Sequence, residues 1–241
     1  MTPSSGMTRP RLTIYNEISL DGRIEGFDQD VGRYYRLGFR WRSDAILMGS
    51  VTAQAFGAAE STEQQAQTQP APERLPVYPG FEDLVYEPRP LLVVPDSRGS
   101  VRNWIHAMAQ PWYREIVVLV SQATPPDYLE YLKRRGINSL VAGDDRVDLP
   151  AALEQLQVRY GVQSIRTDCG GGLNGALLGA GLVDEVAVII NPSLAANPSK
   201  QFFVALPHPI AGDGLALRLR EIDKLDDGAV WLLYEIGKQH T

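Results

Sequence analysis

The chain has 241 residues, 44% of them apolar, with a formal net charge of −6 at pH 7, one cysteine and three histidines. That size carries one well-filled core or two small ones, and the composition fits a packed fold rather than disorder. The acidic balance with no long basic run excludes nucleic acid as a main partner, and scattered His106, His208 and His240 with lone Cys169 build neither a structural zinc site nor an internal disulfide.

The lone cysteine fits a reducing, cytoplasmic setting. No apolar run approaches the roughly 20 residues that a bilayer span requires, so no membrane partner is expected. The first residues, "MTPSSGMTRPR", lack the apolar centre of a signal peptide. They read as a flexible tail over residues 1–9, with Met7 a candidate start, and residues 10–241 read as a single domain.

Arg11 to Ile18 is apolar and β-prone and ends in the turn signal "SLDG". Asp30 to Arg42 carries Val31, Tyr34, Tyr35, Leu37 and Trp41 at roughly helical spacing. "DAILMG", Asp44 to Gly49, reads as a short buried strand, and Ser50 is placed to cap a helix running towards Phe56. Residues 57–90 are rich in Gln, Pro, Glu and Ala and read as a long surface loop with room for one helical turn.

From Leu91 the pattern alternates. Strands are expected at Leu91–Val94, Glu115–Val120, Ile137–Ala142, Val162–Thr167 and Val186–Pro192. Helices are expected at Pro126–Arg135, Leu149–Tyr160 and Leu173–Gly181. Such alternation builds an α/β sheet with helices on its faces. "LALRLREIDKL" and "AVWLLYEI", joined through Asp227-Gly228, read as a terminal antiparallel hairpin, which makes the sheet mixed but mostly parallel.

"GGGLNG", Gly170 to Gly175, satisfies G-x-G-x-x-G between an expected strand and an expected helix. A glycine-rich turn there exposes backbone N–H groups and a helix start, an anion site suited to a diphosphate. A tight left-handed turn that only packs helix on strand is the alternative. The setting is not that of a dinucleotide Rossmann domain, because the motif lies late in the chain and the next strand, "VAVIINP", ends without an acid for a ribose.

"SLDGRI", "RSDAILMGSVT" and "DCGGGLNGALLGAGLVDEV", in this order and spacing, resemble the reductase domain of riboflavin biosynthesis, the pyrimidine reductases of dihydrofolate-reductase-like fold. The resemblance runs from about Arg11 to Leu194. It implies a three-layer α/β/α fold and an NADPH-dependent homodimer that reduces a ribosylamino-pyrimidine phosphate to its ribitylamino form. Hydride reaches the sugar C1′ through an imine or ring-opened state. An enzyme of this kind mainly orients the reactants and stabilises developing charge.

Carried over residue by residue, the resemblance gives Gly170, Gly171, Gly172, Leu173 and Asn174 to the cofactor, together with Gly49, Thr52 and Ser97. Asp168 stands where many members have a glutamate facing the pyrimidine. Arg40 matches a helix arginine that holds the substrate phosphate, where a guanidinium suits bidentate contact. Asp21 belongs to the "SLDG" signature, lining the site or fixing its turn. Two family elements are missing: the acidic "A-D-D-P" stretch after the threonine and a later "L-T-V-R". With them go parts of the substrate half of the site. There is no deaminase signature. A different small heterocyclic substrate, or a nucleotide-binding protein without catalysis, stays open beside the riboflavin reading.

Overall fold

The computed structural model describes residues 9–56, 72–195, 203–204 and 214–237. The expected tail therefore lies outside the described residues except for Arg9, as do residues 57–71 of the expected loop.

In chain order the elements are β1 (Arg11–Ile18), α1 (Val31–Phe39), β2 (Ala45–Leu47), α2 (Ser50–Ala55), β3 (Leu91–Pro95), α3 (Ile105–Ala109) and β4 (Glu115–Val120). Then come α4 (Pro126–Arg134), β5 (Asn138–Val141), α5 (Leu149–Tyr160), β6 (Ser164–Thr167), α6 (Gly171–Gly179), β7 (Glu185–Ile190), β8 (Leu217–Lys224) and β9 (Val230–Ile236). Within the described part of that loop, residues 72–90, a 3₁₀ turn spans Glu82–Leu84. The pairs β1–β7, β2–β3, β3–β4 and β4–β5 are parallel, and β9 is antiparallel to both β7 and β8. The architecture is a mixed, mostly parallel α/β fold with a C-terminal antiparallel hairpin.

The residues group into two compact units, one built on Arg42–Ile165 and the other on Arg11–Trp41 with Arg166–Thr241. In the first unit the strand order is β5-β4-β3-β2. Leu91 to Val94 and Ile116 to Val120 are continuous buried apolar runs, the pattern of strands covered on both faces. The helix α5 is defined by its ends. Asp148 accepts from the Ala151 N–H at 3.0 Å, Pro150 sits in the first turn, and Gly161 closes the helix at φ +69°. Asp44 ties the start of β2 to that of β6 by accepting from the Gln163 N–H, the Ser164 N–H and the Ser164 hydroxyl at 2.9–3.0 Å.

In the second unit β1 lies parallel to β7, with Thr13 opposite Glu185 and Ile18 opposite Ile190. Asp184 accepts from the Leu12 N–H, and Glu185 binds Arg11 and Thr13, so this acidic pair fastens β1 to β7. The core of the unit holds Tyr15, Ala187, Ile189, Ala229, Trp231 and Leu233, with Tyr34, Leu37, Trp41 and Leu225 packed against it. Tyr15 and Tyr34 stack with ring centroids 4.7 Å apart. The helical aromatic spacing read from the sequence therefore serves packing, each ring burying roughly 150–250 Å².

Three expectations are corrected. Helix α6 begins two residues before Leu173, so Gly171 and Gly172 form its first turn and Gly170 its N-cap, at φ −75° and ψ 170°. None of the three glycines has a positive φ, which removes the left-handed turn as their explanation. Helix α2 is entered through Gly49 as N-cap, and Ser50 is its first helical residue. Helix α3 was not anticipated. It is a single short turn among Trp104, Pro111 and Trp112, with no side-chain cap to announce it.

Candidate functional site

In the first unit the residues expected at the cofactor lie after β2 and β3. Gly49 N-caps α2 without any side-chain hydrogen bond, and a Cβ there would meet nothing within 4 Å. Thr52 is exposed on the same helix, its carbonyl accepting from the Phe56 N–H at 2.8 Å. The helix is braced by Gln54, whose Oε1 accepts from the Arg102 N–H at 2.7 Å. Ser97 opens the loop after β3. Its Oγ accepts from the Val147 N–H at 2.8 Å and its carbonyl from the Thr124 hydroxyl at 2.9 Å. Buried Asp96 holds that loop shut from inside, accepting from Ser100 Oγ and the Val101 N–H at 2.9 and 2.8 Å. The loop turns at Gly99, φ +63°, where a Cβ would stand 2.7 Å from the Tyr128 ring.

In the second unit strand β6 leads through Asp168 into α6. The start of α6 carries no side-chain cap and no acidic residue in its first turn. Its leading N–H groups and dipole therefore favour an anion. Gly172 is exposed there, and a Cβ on it would meet nothing within 4 Å. Leu173 follows, half-buried. Asn174 faces inward: its Nδ2 lies 3.0–3.1 Å from the carbonyls of Cys169 and Phe203 and from Asn16 Oδ1, and its Oδ1 accepts from the Thr167 hydroxyl. Its side chain thus fastens the glycine segment to β1 and to residue 203. Cys169 is buried and packs as a small apolar group.

Asp168 pairs with Arg166, Nη2 to Oδ2 at 2.9 Å. Its other oxygen, Oδ1, is buried with no hydrogen-bond partner. Burial raises the carboxyl pKa above its ordinary value, and the Arg166 guanidinium pulls the other way. Arg166 was not singled out from the sequence. The available signal was a lone arginine inside a β-run two residues before the acid, because residues i and i+2 of a strand share a face.

The remaining expected residues are placed elsewhere in the unit. Asp21 accepts from the Ser19 hydroxyl at 2.7 Å and the Ala195 N–H at 3.0 Å, and these two bonds lower its pKa. The structure therefore uses it to tie the "SLDG" turn to the segment after β7. Arg40 donates to Glu221 Oε2 at 2.6 Å and lies 5.0 Å over the Trp231 ring. Burial opposes ionisation of Glu221, but the hydrogen bonds from Arg40 and Trp231 outweigh it and lower the carboxyl pKa. Among the described residues no helix is long and apolar enough to cross a membrane.

The mixed, mostly parallel α/β fold with its terminal hairpin is one that this chain shares with pyrimidine-reductase-like proteins of known structure. A pyrimidine reductase-like protein from Corynebacterium diphtheriae shares the fold at a TM-score of 0.64, with 18% identity, over 99% of this chain and 96% of that one. The RibD protein of Acinetobacter baumannii does so at a TM-score of 0.64 and 18% identity over 95% of this chain, which spans 58% of its length. The chain belongs to the RibD C-terminal domain family, which it matches over residues 10–231. Among relatives, the 2,5-diamino-6-ribosylamino-4(3H)-pyrimidinone 5′-phosphate reductase of Methanothermobacter thermautotrophicus is 29% identical over 194 residues, 77% of this chain and 79% of that protein.

Proposed function

We propose that this chain is an NADPH-dependent oxidoreductase that converts a ribosylamino-pyrimidine phosphate to its ribitylamino form, a reaction of the riboflavin pathway. Family membership and the names of its relatives support the reading. The observation that carries it is Asp168, a carboxylate with one oxygen committed to Arg166 and the other buried and unpaired, directly before an uncapped helix start. A pyrimidine offers ring N–H and amino donors for such an acceptor.

The donor set fits a dinucleotide, since the start of α6 presents backbone N–H groups, no acid and no Cβ at three successive positions. Gly170, Gly171, Gly172 and Leu173 would hold its diphosphate. Asn174 keeps that segment in place, and within the first unit Gly49, Thr52 and Ser97 are the residues that the family resemblance gives to the cofactor. NADPH, when bound, supplies the hydride that the sugar C1′ accepts. The protein binds and orients the pyrimidine through Asp168, while Asp21 holds the turn beside β1. In this reading residues 10–241 act as one reductase domain, and the protein works as a cytoplasmic homodimer.

The direct test mixes protein, NADPH and the ribosylaminopyrimidine phosphate and follows loss of the reduced-nicotinamide absorbance. Turnover is expected, and its absence would remove the riboflavin assignment. One observation favours a second reading, a non-phosphorylated heterocycle: Arg40, the expected phosphate ligand, is engaged by Glu221. Turnover of such a compound, unaffected by Arg40→Ala, would select it.

Gly172→Asp tests the cofactor site separately. The new side chain has open space, and an acid in a helix first turn contributes about 0.3–1 kcal/mol of stability. A bound diphosphate would meet like charge. The melting temperature is expected to hold or rise while NADPH affinity, measured by calorimetry, falls at least about tenfold, which corresponds to 1.4 kcal/mol. Unchanged affinity would move the diphosphate away from α6.

A further inference from the structure

We infer that Arg166 is a positioning residue for Asp168, holding one carboxylate oxygen so that the other is presented as a fixed acceptor to the pyrimidine. The inference rests on the function proposed above and adds a residue to it. Its basis is a side-chain stack confined to the second unit. The Arg166 side chain is 2% exposed and that of Asp168 14%. The guanidinium lies 4.9 Å from the Phe39 ring centroid and 5.6 Å from that of Tyr15, so apolar faces hold it on two sides. Its Nη2 donates to Asp168 Oδ2 at 2.9 Å.

Helix α1 is shaped around this arginine. At Gly38 an added Cβ would stand 2.3 Å from Arg166 Nη1 and 2.8 Å from Tyr15 Cε1, so the chain has no side chain where the guanidinium passes. An arginine carried only to fill the core would need no such gap, and a methionine or leucine would serve with less desolvation. The geometry gives the two carboxylate oxygens different tasks. Oδ2 is locked in a charge-assisted hydrogen bond, and Oδ1 is left buried and without a partner, which is costly unless a donor arrives. A pyrimidine N–H or amino group is such a donor.

Among the described residues the titratable groups around Asp168 are Arg166 near the end of β6, Tyr15 on β1 and Tyr34 on α1. Burial raises the pKa of both tyrosines, which therefore stay neutral through the working range. Arg166 is thus the cation that opposes the rise in the Asp168 pKa. Substrate binding needs the carboxylate form, so activity is lost as pH falls through the Asp168 pKa, and removing the cation moves that loss to higher pH.

The test compares wild type with Arg166→Met, Arg166→Lys and Asp168→Asn. Carbon NMR of the labelled Asp168 carboxyl reads its midpoint without any substrate, and steady-state kinetics read the acid limb and the two KM values. In Arg166→Met the midpoint and the acid limb of kcat/KM should rise by about one pH unit, a roughly tenfold loss at a pH below both midpoints. KM for the pyrimidine should rise and KM for NADPH should stay. Arg166→Lys keeps the charge but not the fork, so its midpoint should remain near wild type while pyrimidine KM rises several-fold.

An unmoved midpoint and unmoved pyrimidine KM in folded Arg166→Met would overturn the inference. If that variant does not fold, Arg166→Lys decides, and an unchanged pyrimidine KM overturns the inference. Wild-type turnover by Asp168→Asn would remove the carboxylate from the substrate and Arg166 with it. A wild type that neither binds nor reduces the pyrimidine would sink the proposed function, while the carboxyl titration would still read the hold of Arg166 on Asp168.

Discussion

Arg33→Met is expected to lower the unfolding free energy by about 3–5 kcal/mol, the usual effect of stripping a buried charge of its partner. The charge is Glu17, near the end of β1, with a fully buried side chain. Its Oε1 takes Arg33 Nη2 at 2.6 Å and Asn191 Nδ2 at 2.8 Å, while Oε2 is buried without a partner. Arg33 is held from its other side by Asp227 in the β8–β9 turn, and Asp227 is itself fixed by the Ala229 N–H at 3.1 Å. Without Arg33 the carboxylate keeps one neutral donor in an apolar setting. Urea denaturation measures the loss, and Glu17→Gln in the Arg33→Met background should recover part of it, because a neutral amide is cheaper to bury. A loss below about 1 kcal/mol, the range of a surface ion pair, would mean that water reaches Glu17.

Gly38→Ala should also destabilise, against the trend for its residue type. Alanine in place of glycine within a helix ordinarily adds roughly 0.5–1 kcal/mol of stability. Here the new methyl would meet Arg166 Nη1 at 2.3 Å and Tyr15 Cε1 at 2.8 Å. Both neighbours are buried, Tyr15 fully, with its hydroxyl bound to the Tyr34 carbonyl at 2.6 Å. Overpacking of this kind costs about 1–3 kcal/mol, and prising Arg166 from Asp168 adds the loss of a charge-assisted bond of about 1.5–3 kcal/mol. These terms outweigh the helix gain and leave a net loss of about 3.5 kcal/mol at mid-range, or a fall in Tm of roughly 7–14 °C for a chain of this size. A melt at or above the wild-type temperature would show that α1 yields without strain.

Much of the fold was legible in the residues. Strand β1 and helix α5 have the bounds their sequences indicate, because apolar runs and capping residues are local signals. The terminal hairpin was readable from Asp227-Gly228 for the same reason. Helix α3 was not, being five residues long with tryptophan at its N-cap. Helix α6 starts earlier than glycine propensity suggests, since Asn174 and its four partners fix that turn through tertiary bonds.

The candidate site divides in the same way. Asp168 and the glycines stand together in sequence and were visible through motif and resemblance. Arg166 has no local signal in "SIRTDC" that marks its task, because the gap that receives it is on α1, at Gly38. Glu17 and Arg33 are separate in sequence, and only folding joins them. Arg40 and Asp21 carried family meaning, yet their nearest partners are Glu221, Ser19 and Ala195, which no local pattern links to them.

The pairing of β1 with β7 has a consequence during biosynthesis. The Leu12 amide finds its Asp184 carboxylate 172 positions downstream. At ribosomal speeds of about 5–20 residues per second, the first strand waits on the order of ten seconds or longer for its neighbour to be translated. Over that interval Leu12, Ile14 and Tyr15, all destined for the interior, stand as an open edge. The cost of that arrangement is borne by the unfinished chain, because an apolar strand made first stays unpaired longest.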